Sequence, residues 1–303
     1  MVSASGKAIR DPEMSDVIGK LAADYPQLYL DPDADTWESY RRVVLQGEEP
    51  DTKSLAHYRG SLFDRLETID SPAGPVKAVT LGDRRDFEIV LRGMMAAKNG
   101  PLAPIPKSQG AAMLTVFNWP RIRAHLEAFP EDERAAEFRR FTGDKANYTD
   151  MLVILSRGPY SNVGAAALGL SEEEWLGRSD IIRRFHEITH VVCRRMYPGD
   201  VDPVRDEVIS DAIGLYAAFG CFDPEKAVLF LGIKDGHYIG GRLENYTDET
   251  EKQAAQVGIM LENVRKVLEL QSAANVFDLI RPLMEASLPS PASGSHDTRL
   301  KLV

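Results

Sequence analysis

His186 and His190 lie four residues apart and bracket a carboxylate in the run His186-Glu187-Ile188-Thr189-His190. On a helix, positions i and i+4 project from one face, so both imidazoles reach a single metal ion. Glu187, between them, is placed to hold and deprotonate a water at that ion. A tetrahedral catalytic zinc takes three protein ligands and leaves one position open. The next segment offers the third. Asp202-Pro203 reads as a helix start, with an Asp cap and proline at the first helical position. Val204, Val208, Ala212, Leu215 and Phe219 then form an apolar stripe, with Glu207 and Asp211 four apart at its border. Carboxylates there are costly unless they bind a cation or accept hydrogen bonds. Glu207 is assigned as the third ligand. Asp211 is assigned to accept from the far nitrogen of a ligating histidine, His186, fixing its tautomer.

An H-E-x-x-H motif followed by a second helix reading E-x-x-x-D resembles the gluzincin metallopeptidases. The run Glu207-Val208-Ile209-Ser210-Asp211-Ala212-Ile213-Gly214 is similar to the corresponding helix of thermolysin-like enzymes. The likeness spans about residues 180 to 220, and no calcium-loop pattern accompanies it. It implies zinc ligation by His186, His190 and Glu207, with Glu187 as general base and Asp211 behind the ligands. It also implies an α+β, mainly helical fold: a zincin-like catalytic domain with a small sheet, and a helical amino-terminal part. Gluzincins place donors such as His and Tyr at the developing oxyanion, a charge that a donor beyond the metal helps to stabilise. His237, Tyr238 and Arg242, in the loop of residues 234 to 242, are the candidates here, and Tyr197 is a further possible donor. The metzincin variant needs a third histidine shortly after the second, where this chain has Cys193-Arg194-Arg195-Met196. Cys193 falls near the His186 face; a small buried apolar role outweighs soft-ligand competition for zinc.

The elements that must position these groups are legible in part. Ser179 or Asp180 caps the histidine helix, and Ile181, Ile182, Phe185, Ile188 and Val192 form its buried stripe. Ser171-Glu172-Glu173-Glu174 is a capping box opening a short preceding helix that carries Trp175. Upstream, residues 13–25, 35–47, 52–69, 84–97, 118–129 and 131–141 read as helices, and 76–81 as a strand. Residues 99–106 break regular structure, and 107–110 read as a polar linker. Residues 151–155 (MLVIL) form the clearest strand. In zincins an edge strand beside the metal helix pairs with extended substrate, and this strand has the right order in the chain; an interior core strand is the alternative. Residues 224–233 read as helix or strand, Thr247-Asp248-Glu249 cap a long helix running to about 274, and a shorter helix runs to about 286. The expected organisation is an amino-terminal region 1–110, a catalytic region 111–290 and a Ser/Pro-rich tail 291–303.

The 303 residues are 44% hydrophobic and 27% charged, ordinary for a globular protein. A net charge of -10 argues against nucleic acid as partner. The first sixteen residues lack the apolar core of a signal peptide, and no stretch reaches bilayer-spanning length. Two cysteines fit a reducing compartment, although a pairing of Cys193 with Cys221 stays open. The expectation is a cytoplasmic, zinc-dependent hydrolase. It would be a metallopeptidase acting on a peptide or small amide through a zinc-activated water, with Glu187 as general base, and with no membrane partner. The alternative is a zinc protein that is no peptidase, its metal structural or regulatory, or an enzyme of small metabolites.

Overall fold

The computed structural model describes residues 16–50, 55–95, 105, 107, 109–199, 202–286 and 288. The architecture is α+β and mainly helical. The chain divides into two compact units. The first comprises Met1–Glu67, Lys77–Ile105 and Leu114–Ser156; the second comprises Thr68–Val76, Pro106–Met113 and Arg157–Val303. The two units interleave along the chain, the last change from one to the other falling after Ser156.

That sheet has the order β1-β2-β4-β3, from β1 (Arg65–Ile69), β2 (Val76–Leu81), β3 (Ala111–Phe117) and β4 (Thr149–Ser156). β2 and β4 pair in parallel, Lys77 opposite Leu152 through Leu81 opposite Ser156. The run Leu152–Ser156 is buried at every position, the mark of a strand covered on both faces. β4 thus has neighbours on both sides and presents no free edge, which removes the substrate-pairing role expected of residues 151–155. The edge strands are β1 and β3, and β3 follows a stretch read only as linker. In the first unit, α1 (Asp16–Asp24), α2 (Trp37–Tyr40), α3 (Arg84–Met95), α4 (Trp119–Glu127) and α5 (Glu131–Thr142) occupy the stretches expected to be helical. A π-helical stretch, Arg41–Gln46, continues α2.

The helix expected over 52–69 does not form in its described part. Residues 55–64 make turns and 65–69 make β1. Two carboxylates enforce this. Asp86 accepts the backbone N–H groups of Arg59 and Gly60, and Asp64 accepts those of Ser61 and Gly82. Gly60 has φ +73, and Leu62, counted in the apparent stripe, is exposed.

The second unit is built on α6 (Glu172–Met196) and α7 (Pro203–Phe219). α6 runs unbroken over 25 residues, merging the short Trp175 helix with the histidine helix. Its cap is Ser171, whose side chain accepts from Glu174 N–H; Ser179 lies buried within it. α7 starts at the Asp202 cap and ends at Gly220, φ +75. It is buried on nearly all sides, a core helix carrying polar groups. The two helices approach closely at Gly214, where a Cβ would lie 2.7 Å from the Ile182 carbonyl oxygen. No larger residue fits there without moving the backbone.

α8 (Pro224–Leu231) resolves the helix-or-strand ambiguity, and the hairpin β5 (Ile233–Lys234) and β6 (His237–Tyr238) follows it. α9 (Thr250–Glu269) starts after the expected cap residues 247–249 but ends short of residue 274, and α10 (Ile280–Glu285) is the last helix among the described residues. Trp175 stacks on Phe230, with ring centroids 5.8 Å apart, amid the buried side chains of the helices. Cys193 and Cys221 are both free thiols. Among the described residues, no helix is long and apolar enough to cross a membrane. The tail 291–303, and most of the break at 99–106, lie outside the described residues.

Candidate metal centre

α6 and α7 bring His186, His190 and Glu207 together. The two Nε2 atoms are 3.0 Å apart, and Glu207 Oε2 is 3.6 Å from each. A tetrahedral ion with bonds of about 2.0–2.1 Å sets its ligand atoms about 3.3–3.4 Å apart. The three edges of this triangle bracket that spacing. The side chains of His186 and Glu207 are 5% and 2% exposed and that of His190 is 14%, so solvent reaches the group from the His190 side.

Both imidazoles are oriented from behind. His186 Nδ1 lies 3.0 Å from Asp211 Oδ1, as the spacing predicts, and 2.9 Å from the Tyr160 hydroxyl. His190 Nδ1 lies 2.8 Å from Asp206 Oδ2 and 3.1 Å from Ser210 Oγ. A carboxylate only accepts, so each Nδ1 carries the hydrogen and each Nε2 presents a lone pair to the other. Two lone pairs and a carboxylate oxygen at this range repel one another unless a positive charge sits among them. The donor set itself, two imidazole nitrogens and one carboxylate oxygen, is that of a catalytic zinc site.

The charges agree. Asp206, Glu207 and Asp211 carry three negative charges, and Arg242 supplies one positive charge against Asp211 and Glu207. Two negative charges remain, which one divalent cation neutralises. Burial opposes ionisation of all three acids. For Asp211, Arg242 and His186 outweigh it and hold the carboxyl well below its ordinary value. His186 and Arg242 do the same for Glu207, and His190 does so for Asp206. Burial lowers His190, but Asp206 and Glu207 overcome that and raise it well above the ordinary imidazole value. The surround thus favours positive charge at Nε2, whether a proton or a metal.

These directions fix a pH dependence for the metal-free protein. Carboxylates more acidic when folded contribute fully above the unfolded range near pH 4, and lose that share as pH falls through their folded values. His190 acts oppositely: its share is present below about pH 6.5 and fades as pH rises through its raised value. Urea denaturation of metal-free protein should therefore show stability falling steeply on acidification below about pH 4–5, and Asp211→Asn should flatten that slope.

Glu187 is half-buried, and among the described residues no hydrogen bond ties up its carboxylate. The buried Arg183, one turn earlier, is the cation near it. Arg242 joins the cluster, but as a tie between carboxylates. Its Nη1 donates to the Tyr160 oxygen at 2.7 Å, and its Nη2 pairs with Asp211 Oδ2 and lies 3.1 Å from Glu207 Oε1. These contacts occupy its Nη1 and Nη2, while its Nε has no hydrogen-bond partner among the described residues. His237 and Tyr238 are not brought to the group. His237 is exposed and its Nδ1 meets Glu251 at 2.5 Å; the Tyr238 hydroxyl binds Glu244 at 2.8 Å. Tyr197 lies among Glu285, Arg281 and Cys193. The Cys193 thiol is buried and pushed up to about 12, mainly by burial and then by Asp206; it is not among the three side chains that converge, His186, His190 and Glu207.

The sequence reading missed Tyr160, Asp206, Ser210 and Tyr246, a phenol held protonated by burial beside Glu207. Asp206 and Ser210 had a signal: they form a second i, i+4 polar pair beside Glu207 and Asp211 on a mostly apolar helix. No curated protein and no solved structure matches the chain. A family model described as a family of unknown function (DUF7005) matches residues 15–278, a span that holds every residue of this cluster, and the chain belongs to that family.

Proposed function

We propose that the protein is a zinc-dependent hydrolase of gluzincin type, a metallopeptidase with a zincin-like catalytic half. The observation that carries this reading is the convergence of His186 Nε2, His190 Nε2 and Glu207 Oε2 at the spacing of one tetrahedral ion. A zinc ion held there would polarise the substrate carbonyl and acidify a water. Glu187, next to His186 and free of hydrogen bonds among the described residues, would take that water's proton as its oxygen bonds to the carbonyl carbon, and would return it to the amine as the C–N bond breaks. Asp211 and Asp206 keep both Nδ1 atoms protonated, so both Nε2 atoms stay available as donors. Arg242 offsets the charge of Glu207 and Asp211.

Substrate is an extended peptide or small amide. β4 is interior and offers no edge for strand addition. Gly110, just before β3, lies against Arg183: a Cβ there would be 2.9 Å from its Nε. The free thiols fit a cytoplasmic enzyme. The test is cleavage of a mixed peptide library, followed by mass spectrometry. Cleavage should stop on treatment with phenanthroline and return on adding zinc. A zinc-loaded protein that cleaves nothing in the library would overturn the peptidase reading.

A further inference from the structure

Tyr160 has no place in the ligand set or the proton transfer proposed above, yet its hydroxyl meets three side chains behind the centre. It is 3% exposed. Its hydroxyl donates to Asp211 Oδ1 at 2.6 Å, accepts from Arg242 Nη1 at 2.7 Å and lies 2.9 Å from His186 Nδ1. Its ring sits edge-on to His186 and to Phe230, with centroids 5.9 Å and 5.3 Å away. Its backbone N–H donates to the buried Ser179 Oγ at 3.0 Å.

The backbone that delivers it is strained. Ser161 and Asn162, the next two residues, have φ +53 and +56, in the left-handed region that non-glycine residues avoid. Such conformations persist only where the surroundings over-determine them, and they gather at functional sites. Here the Ser179 bond holds one end of the turn, and Trp175 Nε1 donating to the Val163 carbonyl at 2.7 Å holds the other.

We propose that Tyr160 is a positioning residue of the metal centre, its hydroxyl fixing the Asp211 carboxylate and the His186 ring together. This rests on the reading of His186, His190 and Glu207 as a metal site. Asp211 Oδ1 serves two donors, His186 and Tyr160, while Oδ2 takes Arg242. Without the phenol oxygen, Arg242 Nη1 loses its acceptor and the carboxylate loses the donor that stops it turning. The aim of His186 Nε2 then loosens. His190 has its own supports in Asp206 and Ser210 and does not depend on Tyr160.

Zinc titration against a chromophoric chelator, with parent, Tyr160→Phe, Ser179→Ala and His190→Ala, tests this. Tyr160→Phe should bind zinc about 10–100-fold more weakly, the range for losing a partner behind a ligand. Cobalt bound to that variant should show a changed visible spectrum, which a purely structural role would leave as in the parent. Ser179→Ala keeps the hydroxyl but frees the turn, and should weaken zinc several-fold; it carries the test if Tyr160→Phe does not fold. Parent-like zinc affinity in a folded Tyr160→Phe, or in Ser179→Ala where the first does not fold, overturns the role of Tyr160 while loss of binding in His190→Ala upholds the site. A parent that holds no zinc overturns both.

Discussion

Glu187→Gln should leave the protein folded and loaded with zinc while cutting peptide hydrolysis by about 10²–10⁴-fold, the usual share of general acid–base catalysis. The substitution changes almost no volume. It removes the ability to take up a proton at the one carboxylate next to the histidines that is not tied to them. Glu207, Asp211 and Asp206 are all committed, to Arg242 or to an imidazole. Glu187 is not, and it is half-buried at a cluster that opens on the His190 side. Loss of kcat/KM with unchanged zinc content is the expected pattern. A Gln variant as active as the parent would place the base elsewhere.

Arg242→Met should have the largest effect on stability. The guanidinium is the cation the cluster has against Asp211 and Glu207, whose side chains are 0% and 2% exposed. Removing one partner of a buried ion pair leaves an uncompensated buried charge, which costs about 3–5 kcal/mol. The metal-free variant should lose that much in urea denaturation. Zinc should then restore more stability to Arg242→Met than it adds to the parent, because the ion supplies the missing charge to a folded state that needs it. Equal stability of variant and parent without metal would show that Arg242 is not balancing those carboxylates.

What was legible in the sequence was whatever one helix settles within itself. His186, Glu187 and His190 share a helix, as do Glu207 and Asp211, and the Asp202 cap announces the second helix locally; the cap expected of Ser179 or Asp180 for the first falls to Ser171, because the helix runs on unbroken from there. The i, i+4 relation did the rest. What stayed hidden depended on other parts of the chain. Tyr160 follows a Gly-Pro turn with no local mark of its partners, which lie 26, 51 and 82 residues away. Residues 52–69 carry helical spacing, but Asp86, from outside the stretch, captures the N–H groups of Arg59 and Gly60, and Asp64, within it, ties Ser61 N–H to Gly82 N–H. β4 reads as a good strand, yet only the order β1-β2-β4-β3 makes it interior. His237 and Tyr238 stand on a two-residue strand after the Asp235-Gly236 turn. That short hairpin hands their side chains to Glu251 and Glu244, while Arg242, four residues on from Tyr238, turns into the cluster.

The chemistry proposed for this chain requires that three side chains from two neighbouring helices hold one divalent ion. Zinc content by mass spectrometry, after identical dialysis of parent and His190→Ala, measures that directly. One zinc per chain in the parent and none in the variant is the expected result; equal zinc in the two, or none in either, would contradict it.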